Sequence, residues 1–177
     1  LQIDDEIMTY IYHHLSPLGP VTLASDGEAL TGLWFDGQKY FGSMISQPVK
    51  EGCIPVFDET IQWLKIYFSG REPDFTPALC LHATPFRERV WQILLTIPFG
   101  QTMTYGEVAE RVAYQQGGGA KSSQAVGSAV GHNPISLIIP CHRVVGAQGQ
   151  LTGYAGGLGR KEWLLKMEGG NTMEEER

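Results

Sequence analysis

Residues 104–131 read TYGEVAERVAYQQGGGAKSSQAVGSAVG, and this stretch decides the fold. Thr104 followed three residues later by Glu107 is a capping box, so a helix is expected to open at Tyr105 and run through Val108 and Val112. Residues 114–120 hold three consecutive glycines, which predicts a flexible turn. Ser122 or Ser123 then caps another helix, with Val126 and Val130 on its core face. Two short helices joined by a turn suggest a helix-turn-helix for DNA, although this turn is longer than the usual length of about 3–4 residues. The motif alone is weak, since many helical hairpins bind nothing.

The outer face of that second helix is unusual. Gln124, Gly127, Ser128 and Gly131, with Ala125 and Ala129 between them, leave little side-chain bulk. Such a face can pack closely on another helix. Alternatively it can press into a groove too narrow for Arg- or Lys-studded helices, such as the minor groove, about 6 Å wide.

Upstream, Thr84 caps a further helix with Pro85 at its first position, and Phe86, Val90, Ile93, Leu94 and Ile97 form one apolar stripe. Before residue 80 the chain changes character. Residues 7–14, 21–24 and 30–35 are rich in β-branched and aromatic residues, with turn signals at Ser25-Asp26-Gly27 and Asp36-Gly37. A helix follows, with Asp58 as N-cap, Ile61, Leu64 and Phe68 at helical spacing, and Gly70 as its stop. Residues 71–78, with Pro73 and Pro77, read as a linker. The expected fold is α+β: a small sheet-and-helix domain with its linker at 1–78, then a mainly helical domain at 79–177.

Composition narrows the function classes. Hydrophobic residues make up 42% of the 177 and charged residues 18%, which supports a sizeable core and argues against disorder. No run approaches the length of a membrane span, about 18–20 apolar residues, and no basic-then-apolar leader opens the sequence. The three cysteines are too few and too unevenly placed for a disulfide framework, which points to a reducing cytoplasmic setting, or a nuclear one in a eukaryote. Net charge is −6, but residues 1–80 carry 4 Lys/Arg against 11 Asp/Glu, whereas residues 81–173 carry 8 against 5. A surface for a polyanion therefore belongs in the second half. His13, His14, Cys53, Cys80 and His82 fit no standard zinc spacing, so no metal is expected.

Downstream of the helix pair lies Pro140-Cys141-His142-Arg143-Val144, at the end of the apolar run 135–139. A thiol of unperturbed pKa about 8.5 is only roughly 3% thiolate at neutral pH. A neighbouring cation and an imidazole are expected to lower that pKa, which makes Cys141 a candidate nucleophile. His142 meets a geometric objection, because adjacent residues of a strand point to opposite faces. Either the chain turns at Cys141 or a water bridges the pair. Glu168 falls in the last turn of the helix 160–168, where the macrodipole disfavours an acid by roughly 0.3–1 kcal/mol. It is either a solvated helix end or the partner of His142, fixing the imidazole as in other Cys-His-acid relays.

TYGEVA, AVGSAVGHNP, IIPCHRVVG and LTGYAGGLGRKEWLLKMEG, in this order and spacing over residues 84–170, resemble the O6-alkylguanine-DNA alkyltransferases. The first 80 residues match that family only in general character. The resemblance implies a ribonuclease-H-like first domain and a second domain with a winged-helix-like helix-turn-helix. It implies that Cys141 takes the alkyl group from guanine O6 in a single, irreversible turnover, with no cofactor because the protein is itself the acceptor. His142 then acts on Cys141 through a water with Glu168 behind it, and Asn133, otherwise an ordinary loop entry beside Pro134, holds the turn. Tyr105, otherwise a staple on the core, hydrogen-bonds guanine N3. Tyr154 flanks the flipped base, the amide of Ala155 faces O6, Gly156 lets the backbone approach, and carbonyls near Val144 and Cys141 accept from the exocyclic amine. Lys121 and Arg143 join Gln124, Ala125, Gly127, Ser128 and Gly131 on the DNA-binding surface.

One position departs from the family pattern. Where an arginine usually enters the duplex in place of the extruded base, this chain has Gln124, without the planar cation. The glycine-rich insertion just upstream is placed to reposition Lys121. Three classes stay open: a suicidal DNA-repair alkyltransferase, a lesion-binding protein that does not transfer, and a cysteine hydrolase. The first is expected, acting as a monomer on double-stranded DNA containing O6-alkylguanine, with no membrane partner; O4-alkylthymine is a further possible substrate.

Overall fold

The computed structural model describes residues 8–169. Ile7, at the expected start of the first strand, and the acidic tail at 174–177 lie outside the described residues. The N-terminal half is a four-stranded sheet. Strands β1 (Thr9–Ser16), β2 (Gly19–Ser25) and β3 (Leu30–Phe35) form an antiparallel meander, and β4 (Val49–Glu51) adds parallel to β1, giving the order β3-β2-β1-β4. The first three lie close to where the β-branched runs predict them. β4, only Val49-Lys50-Glu51, is too short and polar to be legible in the sequence.

All six residues of the edge strand β3 are buried. Its free edge is covered from both sides of the domain boundary. Leu30 N donates to Ala78 O at 2.7 Å and Cys80 N to Leu30 O at 2.9 Å; Leu33 N donates to Pro134 O at 2.8 Å and Ser136 N to Leu33 O at 2.9 Å. The sheet domain thus holds the segment that leads into Cys141.

Helix α1 (Pro55–Phe68) opens three residues before the expected Asp58, with Ile54 as N-cap and Pro55 at the first position, where its fixed φ and missing N–H cost nothing. Asp58 falls in the first turn instead, where an acid suits the helix dipole. This earlier start turns the buried face onto Val56, Phe57, Thr60, Trp63, Leu64 and Tyr67, leaving Ile61 and Phe68 only partly buried. Residues 71–78 form an irregular connection to the second half.

There α2 (Pro85–Leu94) is capped by Thr84, whose Oγ1 accepts from Arg87 N at 3.3 Å, and its expected apolar stripe is largely buried. Strand β5 (Met103–Thr104) leads into α3 (Tyr105–Gln115), and Thr104 Oγ1 accepts from Glu107 N at 3.1 Å. Tyr114 belongs to this helix and not to the turn, which begins only at Gln116. Gly117, Gly118 and Gly119 all have positive φ (83°, 115° and 111°), a path closed to most side chains. Ser122 caps α4 (Ser123–Gly131), its Oγ accepting from Ala125 N at 3.1 Å.

A short 3-10 turn (Cys141–Arg143), β6 (Val144–Val145) and α5 (Leu158–Glu168) are the last elements among the described residues. β5 and β6 pair in parallel, Met103 against Val144, which fixes the start of the helix pair beside the cysteine turn. One apolar core runs through both halves and includes Leu33, Tyr67, Leu94, Ile139 and Leu164. Among the described residues no helix is long and apolar enough to cross a membrane.

Candidate active site

The apolar run before Cys141 is a buried turn and not a strand. Leu137 has φ 72°, and Ile139 N returns to Ile135 O at 3.1 Å. Asn133 holds the turn at both ends: its Oδ1 accepts from Ile135 N at 3.0 Å and its Nδ2 donates to Ile139 O at 2.8 Å. The chain then turns again through the 3-10 helix, with Arg143 N on Pro140 O at 3.0 Å. The objection raised by an extended chain therefore falls away. Cys141 and His142 sit on a turn, where neighbouring side chains need not point to opposite faces.

Cys141 is buried at the base of a cavity of about 220 Å³. Tyr105, Tyr154 and Ala155 line its walls, α4 contributes Gly127, Ser128 and Gly131, and Lys39 and Tyr40 approach from the loop after β3. Tyr105 OH donates to Thr152 O at 3.1 Å. Tyr40 stacks on His132 with ring centroids 3.8 Å apart. Lys39 and Tyr40 are not legible in the sequence, because a polar loop in the other domain carries no periodic signal.

Behind Cys141 the polar groups are buried. His142 is fully buried, and its Nε2 lies 2.5 Å from Glu168 Oε2. Tyr67 OH donates to the same oxygen at 2.6 Å, while Arg143 Nε and Gly100 N donate to Oε1 at 2.7 and 3.1 Å. Gly100 has φ 81°, and a Cβ there would stand 3.2 Å from Glu168 O, so only glycine presents this amide without strain. With Nε2 facing the carboxylate, that nitrogen carries the proton. Nδ1 has no hydrogen-bond partner among the described residues, so its lone pair is free to act as a base.

Electrostatics correct one expectation. Burial pushes the Cys141 thiol up, and the Asn133 hydrogen bond and the Lys161 charge offset this only in part. The resting sulfur is a thiol, and a base must take its proton when it reacts. Burial also lowers the His142 pKa, against the opposing pull of Glu168, so the imidazole is neutral and able to act as that base. Burial tends to raise Glu168 too, but the hydrogen bonds from His142 and Arg143 and the Arg143 charge outweigh it and hold the carboxyl at about 2. With His142 neutral, Arg143 supplies the standing countercharge.

Arg143 is therefore misplaced in the expected DNA-binding set. Its Nε is bound to Glu168 and its NH1 donates to Ile97 O at 2.7 Å, both inside the protein. Val144 is likewise fully buried and outside the cavity lining, with its carbonyl on Lys161 Nζ at 2.6 Å. Gly156 also stands behind the lining: a Cβ there would meet the Tyr154 ring at 2.8 Å and Phe35 at 3.1 Å, so it sets how closely Tyr154 packs.

Lys161 reads in the sequence as a surface lysine beside Arg160, yet it is fully buried. Its Nζ donates to the carbonyls of Val144, Thr152 and Gly153 at 2.6, 3.0 and 3.1 Å, joining the cysteine turn to the loop that carries Tyr154. An available signal was its place on the same face of α5 as Leu164 and Glu168.

On α4, Gln124 and Ser128 are exposed, while Ala125, Gly127 and Gly131 are half-buried. Ala129 belongs to the core, since the Trp91 indole donates to its carbonyl at 2.8 Å. The glycines do not serve close helix packing. A Cβ on Gly131 would meet nothing within 4 Å, and one on Gly127 only the Tyr105 ring at 4.0 Å. Lys121 is exposed and lies 3.7 Å from Glu110. The histidines and cysteines considered for zinc are dispersed, with His13 on Thr22 and Glu51, Cys53 on Asp58, and Cys80 on His82.

A helix-turn-helix set beside a buried thiol, with a neutral imidazole and an ionised carboxylate behind it, is the arrangement of a DNA-binding class of fold that carries a candidate nucleophile. The sequence matches two profiles described as 6-O-methylguanine DNA methyltransferase, the ribonuclease-like domain over residues 8–81 and the DNA binding domain over residues 85–170. A methylated-DNA–protein-cysteine methyltransferase of Mycobacterium bovis is 45% identical over 153 residues, covering 86% of this chain and 88% of the relative. One from Methanosarcina acetivorans is 44% identical over 155 residues, covering 87% and 94%. The crystal structure of Mycobacterium tuberculosis OGT in complex with DNA superposes with a TM-score of 0.80 at 41% identity, over 92% of this chain and 94% of that one. The chain belongs to the 6-O-methylguanine DNA methyltransferase family.

Proposed function

We propose that this protein repairs DNA by moving the alkyl group of O6-alkylguanine onto Cys141, once per molecule. The observation that carries the reading is Cys141 at the base of a cavity bounded by Tyr105, Tyr154 and the bare face of α4, with His142 and Glu168 behind it. In the reaction the sulfur attacks the alkyl carbon, an S–C bond forms, and the C–O6 bond breaks with its electron pair passing to the base. His142 Nδ1 takes the thiol proton, directly or through one water, and the imidazolium is stabilised by Glu168. Tyr105 passes its phenol proton to guanine N3, so the base leaves neutral; solvent then returns a proton to Tyr105 and takes one from His142. The product is a thioether, which has no good leaving group, so nothing restores the thiol.

The bare α4 face supports entry into the minor groove, where bulky side chains are excluded. The relative solved in complex with DNA supports DNA as the partner. Reaching O6 requires the guanine to leave the stack, at a cost of a few kcal/mol. Tyr154 and Ala155, both in the cavity lining, receive it, and the acidic first domain faces away from the DNA. The protein acts as a monomer.

Incubating the full chain with a duplex holding one O6-methylguanine, then weighing the protein and its peptides, tests the reading. The expected result is one methyl group on the Cys141 peptide. Tight binding with no adduct, or turnover of an ester by Cys141, contradicts it.

A further inference from the structure

Tyr67 belongs to α1, in the sheet domain, yet its hydroxyl enters the relay under Cys141. The side chain is fully buried; it donates to Glu168 Oε2 at 2.6 Å, and its oxygen lies 3.2 Å from His142 Nε2. The ring is held on several sides. It stacks on Trp63 at 5.1 Å and meets Phe68, Phe99 and His142 edge-on at 5.3, 6.0 and 6.3 Å. Filling this part of the core needs only a ring, and a buried hydroxyl brings a desolvation cost that a partner must offset. The partner here is the one oxygen that also takes the His142 N–H.

We infer that Tyr67 is a positioning residue for alkyl transfer, through which the N-terminal domain sets Glu168 and His142 for Cys141. The inference rests on the reading of Cys141 as the alkyl acceptor. Glu168 receives two donors on each oxygen, which saturates the carboxylate: Nε2–H and the phenol on Oε2, Arg143 and Gly100 on Oε1. The phenol leaves Oε2 one direction for Nε2–H. That direction fixes the imidazole plane and the aim of Nδ1, as outer-shell partners do in other histidine sites. It also draws charge from Oε2, which keeps Glu168 ionised and limits its pull on the Nε2 proton.

The phenol itself stays protonated, because burial and the neighbouring carboxylate push its pKa far above the ordinary value. The titratable and charged groups facing Glu168 are His142 and Arg143 from the cysteine turn, Tyr67 from α1 and, further off, Tyr154; Lys161 faces His142. His142 and Arg143 remain when the phenol is removed, so Glu168 stays ionised at neutral pH. Losing one donor still raises its pKa.

Tyr67→Phe keeps the ring and removes the donor. Single-turnover methyl transfer from an O6-methylguanine duplex is expected to slow about tenfold, with Kd for the unmodified duplex changed by less than about twofold. The acid limb of the rate–pH profile is expected to move to higher pH. An unchanged rate and limb overturn the inference, and so does an equal loss of rate and DNA affinity with the limb unmoved, which marks a packing role. Should Tyr67→Phe fail to fold, 3-fluorotyrosine at position 67 keeps the packing and strengthens the donor. It is expected to move the acid limb to lower pH, and an unmoved limb overturns the inference. A wild-type chain that leaves Cys141 unmodified overturns the parent reading and this one together; wild-type transfer with an indifferent Tyr67→Phe overturns this one alone.

Discussion

The two sides of Cys141 are built in opposite ways. Behind it, each oxygen of Glu168 accepts two hydrogen bonds, Lys161 is saturated by three carbonyls, and both are buried. In front, α4 presents two glycines at which an added Cβ would meet almost nothing among the described residues, together with Gln124 and Ser128 in the open. A saturated network has no freedom to adapt, which suits proton transfer within one fixed geometry. A slim face that lines the cavity without filling it leaves room for what docks there, which in the proposed function is the DNA. The difference separates chemistry from delivery, and changes on either side are expected to have different signatures.

Breaking the rear network has the largest expected effect. Glu168→Gln removes the anion that stabilises the imidazolium and leaves Arg143 buried without its countercharge. Transfer is expected to slow by about 10²–10⁴ in a single-turnover assay, with a loss of stability of about 3–5 kcal/mol in urea unfolding. A variant that kept both rate and stability would place Glu168 outside the relay.

Acid acts on the same group and has a smaller effect. The folded carboxyl sits at about 2 against an ordinary 4.5. A depressed pKa contributes stability that is present above the unfolded value and lost as pH falls through the folded one. The Glu168 share, on the order of 3 kcal/mol, is therefore expected to disappear between about pH 4.5 and pH 2. Urea midpoints measured across that window check this. In Glu168→Gln the slope is expected to flatten.

The front face gives the smallest effect. Gln124→Arg supplies the cation and planar donor that glutamine lacks, and is expected to tighten binding to an alkylated duplex by about 1 kcal/mol, roughly fivefold, at matched salt. The rate of the chemical step once bound is expected to stay the same. Equal affinity for the two proteins sinks the role assigned to Gln124, and a changed chemical step breaks the separation of the two sides.

Much of this arrangement was legible in residue order. Local signals placed the helix pair: Thr104 and Ser122 cap where their spacing says, and the glycines end α3 within two residues of the expected place. Glu168 betrayed itself as an acid at the wrong end of a helix. What the sequence hid were contacts made across the fold. Tyr67, Tyr40 and Lys39 reach the site from the other domain, and Lys161 looks like any lysine until its three carbonyls close around it. Arg143 was misread for the same reason, since nothing local says that a cation beside a cysteine faces inward. The sign of the Cys141 shift also depends on burial, which neighbouring residues alone do not reveal.

Stoichiometry tests the central claim most directly. Rapid-quench mixing of the full chain with a molar excess of O6-methylguanine duplex should give one burst, its amplitude equal to the Cys141 thiol present, with no slow phase after it. Continued conversion beyond one methyl per chain, or a burst that survives Cys141→Ser, would contradict the account.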